Sequence, residues 1–117
     1  MTGKGRGGSF EFASANELWR ASLDVIDFMP LTSVNYSGGV IITDWYSDQG
    51  NTNESIKITI KFLSNEVRSD SLDVDVFYKT CIATNNCKIN KQEGQLKKEI
   101  TKQILAKAAI YKKQVKD

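Results

Sequence analysis

A chain of 117 residues, 40% hydrophobic and 26% charged, has the size and composition of one globular domain and is too short for a two-domain enzyme. It contains no histidine, which removes Ser/His and Cys/His catalytic pairs and the commonest zinc ligand. The net charge of +2 conceals an uneven spread: residues 88–117 hold nine lysines against three acids, giving +6, whereas residues 11–87 hold five basic and eleven acidic side chains, giving −6.

Residues 1–13 read as a flexible Gly-rich leader, and residues 14–117 as a single α+β domain. The opening MTGKGRGG lacks the apolar stretch of a secretory signal, and its glycines neither follow a strand nor match a phosphate-binding loop. Ser14 and Glu17 stand in capping-box spacing at the start of a helix. Leu18, Trp19, Ser22, Leu23, Val25, Ile26 and Met29 share one arc of its wheel; Asn16, Glu17, Arg20, Asp24 and Asp27 lie opposite. Pro30 ends the helix, since it lacks an amide donor and biases Met29 out of the helical region.

The period then changes. Leu31 to Tyr36 reads as a short edge strand, Ser37-Gly38-Gly39 as a turn, and the β-branched and aromatic run Val40 to Tyr46 as a second strand. After the loop SDQGNTN, Ile56, Ile58, Ile60 and Phe62 alternate with Lys57, Thr59 and Lys61. In the next strand Leu72, Val74, Val76 and Tyr78 point inward, and Asp73, Asp75, Phe77 and Lys79 outward. Antiparallel pairing of these two strands sets Lys57 and Lys61 against Asp73 and Asp75. A final helix opens at Asn90 and Glu93. It places Leu96, Ile100, Ile104, Ala108, Tyr111 and Val115 on one arc and Lys98, Lys102, Lys112, Lys113 and Lys116 on another. The expected fold is a two-layer α+β sandwich: an antiparallel sheet of three or four strands with an N-terminal and a C-terminal helix on one face. No apolar run approaches the roughly 18 residues of a transmembrane helix.

Cys81 and Cys87 flank a Thr84-Asn85-Asn86 turn, where two antiparallel strands would bring the sulfurs face to face. A disulfide and two free thiols both fit this spacing. Two thiols alone fall short of a metal site.

The motifs LWRASL (18–23), FMPL (28–31), GGVIITDWY (38–46) and RSDSL (68–72), in that order, resemble the bacterial, mainly alphaproteobacterial, domain-of-unknown-function family three-five-seven-six. The resemblance implies an envelope protein, periplasmic or outer-membrane associated and often exported with a lipoprotein-type signal, with no established activity. This chain departs from the pattern in lacking that signal and in carrying the Cys81 to Cys87 segment. The element order is also similar to helix-grip domains such as those of BamC, a likeness of fold only.

Candidate binding residues are Asp44, Trp45 and Tyr46, where an acid interrupts an apolar strand beside two aromatics, together with Arg20, Arg68 and Asp70. Arg20 has Asp24 as a partner on its own helix. The lysine arc, Lys98, Lys102, Lys112, Lys113 and Lys116, is a solvated face or a contact for anionic membrane surface. No catalytic, metal or cofactor signature is present, and no nucleic-acid module fits. The expected function is a non-catalytic envelope interaction or scaffold module with an envelope protein partner. The alternatives are a small apolar-ligand carrier with a pocket between helices and sheet, or anionic-surface binding through the last helix.

Overall fold

The structure is a computed structural model of the chain and describes residues 16–47 and 53–116. The expected leader, Ser14, and the centre of the SDQGNTN loop lie outside the described residues.

Helix α1 (Glu17–Val25) is capped by Asn16, whose Oδ1 accepts from Trp19 N at 3.1 Å. Its apolar arc is the buried one: Leu18, Trp19, Ala21 and Ser22 lose nearly all solvent contact, and Ile26 and Met29 follow in the turn that leads to Pro30. Five strands then form a meander in sequence order, all antiparallel. They are β1 (Leu31–Asn35), β2 (Val40–Thr43), β3 (Glu54–Phe62), β4 (Leu72–Ala83) and β5 (Asn86–Gln92). Helix α2 (Gln95–Lys116), about 33 Å long at 1.5 Å per residue, closes the chain.

The β1–β2 turn depends on Gly39. Its φ is 68°, and a Cβ there would stand 3.2 Å from the Phe62 carbonyl oxygen, so glycine is the residue that fits. Asn35 Oδ1 accepts from Gly38 N at 2.8 Å and tightens the same turn.

The core lies between the helices and one face of the sheet. Ile41, Ile58, Ile60, Val74 and Val76 meet Leu18, Trp19 and Ala21 of α1 and Ile100, Ile104 and Ala108 of α2. Trp19 anchors the α1 side, with its ring 5.0 Å from Tyr36 and 5.1 Å from Phe62. Among the described residues no helix packs on the opposite face of the sheet.

Among the described residues the sheet has five strands and not three or four, because Asn86–Gln92 is β5, and α2 starts at Gln95 and not at Asn90. Asn90 instead pairs with Tyr78 across the β4–β5 ladder. The charge pairing is also only partly as expected: Lys61 faces Asp73, but Lys57 faces Phe77 and Asp75 faces Thr59. Asp75 is buried, with Lys91 Nζ at 3.2 Å and Lys97 Nζ at 3.9 Å from its Oδ1, and Glu93 joins the same cluster 3.1 Å from Lys97. The carboxylate raises the Lys91 pKa, chiefly through their hydrogen bond. These residues tie β4, β5 and the start of α2 together.

Candidate functional site

The sequence run that drew attention, Asp44-Trp45-Tyr46, sits at a break in the β2–β3 ladder. Between the Ile42–Thr59 pair and the Tyr46–Ile56 bridge, the first strand advances four residues and its partner three. This is a β-bulge with one extra residue. Side chains hold the disturbed backbone. Thr43 Oγ1 accepts from Ile58 N at 2.9 Å, and Asp44 Oδ1 accepts from Trp45 N at 2.7 Å. The ladder resumes with Tyr46 N donating to Ile56 O at 2.8 Å and Ile56 N to Tyr46 O at 2.9 Å.

The extra residue reverses the alternation. Ile41 and Thr43 are buried toward the helices, so strict alternation would send Trp45 there as well and Tyr46 to the bare face. Instead Trp45 lies on the bare face, with Lys79 Nζ 4.6 Å and Lys57 Nζ 5.6 Å from its ring centroid. Tyr46 turns to the helix side, where its ring meets Phe28 edge-on at 5.4 Å. The two aromatics expected to form one patch therefore serve opposite faces.

On the helix side Tyr46 lines an open groove of about 390 Å³. Phe28, Ile56, Tyr78 and Leu96 supply its apolar walls, and Glu54 and Ser55 its polar groups. Phe28 is 55% exposed although it belongs to the loop that follows α1, a large apolar side chain left beside an unfilled space.

The remaining sequence candidates fall elsewhere and do not converge on this site. Arg20 places its guanidinium 4.0 Å over the Tyr111 ring, joining α1 to α2, while its expected partner Asp24 accepts a hydrogen bond from Tyr111 Oη. Arg68 donates through Nε to Asp70 Oδ1 at 2.9 Å and pairs with Glu66, an exposed clasp within the loop before β4. Those carboxylates raise the Arg68 pKa, Asp70 first by its hydrogen bond. Lys98, Lys102, Lys112 and Lys113 are exposed on α2; the Lys116 side chain lies outside the described residues. Cys81 and Cys87 face one another across the β4–β5 ladder with Cα atoms 4.0 Å apart, and their sulfurs are bonded. Among the described residues no three acids or cysteines converge as a metal site would require.

Phe28, Tyr78 and Leu96, three walls of the groove, were not legible as site residues. Tyr78 and Leu96 read as ordinary core in their own elements and Phe28 stood outside the apolar arc of the first helix, so only their meeting around Tyr46 sets them apart.

The family model described as Domain of unknown function (DUF3576) matches residues 12–113. The chain belongs to that family. The DUF3576 chain is 37% identical over 91 residues to the uncharacterized protein RP420 of Rickettsia prowazekii (strain Madrid E). That match covers 78% of this chain and 54% of the relative, so the chain spans about half the relative's length. No solved structure matches. The helix-grip likeness thus rests on element order alone.

Proposed function

We propose that this DUF3576 chain is a non-catalytic recognition module of the cell envelope, and that it receives an apolar segment of an envelope protein in the groove beside the bulge. The observation that carries this reading is Tyr46, which the bulge turns out of register into a groove with Phe28, Ile56, Tyr78 and Leu96. Aromatic side chains around a half-open apolar space are the usual anchors of a recognition surface. The envelope setting is supported by the resemblance to a family whose members often carry lipoprotein-type signals.

The test is affinity capture from a solubilised envelope fraction with wild type, Tyr46→Ala and Phe28→Ser. One discrete protein should be retained by wild type and lost from both variants, each shown folded by circular dichroism. The same proteins on all three, or none on wild type, would overturn the reading.

A second reading has its own support, because the groove volume exceeds the roughly 300 Å³ at which small-molecule sites begin. In that reading the groove carries a free apolar ligand. A neutral apolar fluorophore such as N-phenylnaphthylamine would then bind wild type at one site and fail to bind Tyr46→Ala. Absence of any fluorescence gain with wild type removes the carrier.

A further inference from the structure

The bare face of the sheet and the β4–β5 hairpin bring lysines without an ion-pair partner among the described residues together with two exposed isoleucines. From Phe77 to Gln92 there is no acidic residue, while Lys79, Lys88 and Lys91 all lie in that stretch. Lys91 is matched by Asp75 and Glu93. By contrast Lys57, Lys61, Lys79 and Lys88 form no ion pair among the described residues. Lys57 and Lys79 are gathered around Trp45 on this face.

Two isoleucines complete the surface. Ile89 pairs with Lys79 and so shares its face, yet it is 57% exposed. Ile82 is the extra residue of a second bulge, between the Cys81–Cys87 and Ala83–Asn86 pairs, and is 83% exposed. The disulfide holds this hairpin end in shape before anything binds, which lowers the ordering cost of binding.

We propose that the bare sheet face and the tip of the β4–β5 hairpin dock on a bilayer bearing anionic lipids. Lys57, Lys61 and Lys79 meet the headgroups, Trp45 sits at the interfacial level, and Ile82 and Ile89 enter the acyl boundary, while Lys88, paired with Thr80, points to the other side. Charge complementarity selects an anionic partner. The isoleucines select a bilayer over a soluble polyanion, which would leave them in water. This goes beyond the groove reading and uses the other face: docked this way, the chain holds its helix layer and groove away from the membrane. It also differs from binding through Lys98, Lys102, Lys112 and Lys113, which belong to the helix layer.

The experiment is co-sedimentation of the full chain with vesicles of phosphatidylcholine alone or mixed with phosphatidylglycerol, at low and high salt. Binding should require phosphatidylglycerol and weaken with salt. The pair Lys57→Glu, Lys79→Glu should reduce partitioning by about tenfold or more. Ile82→Asn, at an exposed hairpin end where folding is not at risk, should reduce it by about tenfold while the salt dependence remains. The pair Lys102→Glu, Lys113→Glu should bind like wild type. Trp19 is buried, so quenching by bromine-labelled acyl chains reports on Trp45 in the unmodified chain and should be observed. The proposal is overturned by absence of binding to anionic vesicles, by loss confined to the Lys102, Lys113 pair, or by Ile82→Asn binding as wild type does, which would mark a site for soluble polyanions.

Discussion

Tyr111 shows how a single polar contact joins two helices that are far apart in sequence. Its Oη donates to the Asp24 carboxylate of α1, and Arg20 covers its ring. The bond to Asp24 is the chief cause of a phenol pKa raised above its ordinary 10.0, with desolvation adding to it and Arg20 opposing it. The folded chain therefore holds this proton more tightly than the unfolded one. The resulting stability is fully present below about pH 10 and is lost as pH rises through the raised value. Following tyrosinate absorbance during alkaline titration should show a late component from Tyr111, which Asp24→Asn should abolish. If wild type and Asp24→Asn titrate alike, the contact is not made in solution. Trp45 and Tyr46 make a second point at this scale: their chemistry was plain from their names, but a single inserted residue chose their faces.

At the scale of elements, β5 is the strand that period and propensity did not reveal. Its sequence, NCKINKQ, has one large aliphatic residue and no apolar alternation, because an edge strand on a hairpin that outruns the sheet has little to bury. Pairing to β4 and the Cys81–Cys87 bond make it a strand. Closing so short a loop constrains the unfolded chain by about 2 kcal/mol in the chain-entropy account. The double variant Cys81→Ser, Cys87→Ser should keep the fold and lower stability by about that amount, read as a lower urea midpoint. An unchanged midpoint contradicts a bonded pair. Helices α1 and α2 were legible because each has one sharply apolar arc, while the true cap of α1, Asn16, lies two residues past the Ser14 of the capping-box pattern.

For the molecule as a whole, stability rests on the layer between the helices and one sheet face, so truncations should divide by layer. Ile58→Ala removes a fully buried side chain at the centre of β3 and should cost about 2–5 kcal/mol. Ile82→Ala, at the hairpin end, should stay within about 0.5 kcal/mol of wild type. Equal losses in urea unfolding would mean that the core is not centred on this layer. The amino-acid order by itself determined the α+β class, both helices, the inward faces of β3 and β4 and the glycine turn before β2. Those features follow from local spacing of apolar, β-branched and turn-forming residues, which any window of the chain contains. Only the tertiary structure decided the fifth strand, the Asp75 cluster beneath the β5–α2 junction, the groove and the division of Trp45 from Tyr46. Each of these depends on register between segments distant in sequence, and a slip of one residue at the Asp44 bulge exchanges the faces of everything beyond it.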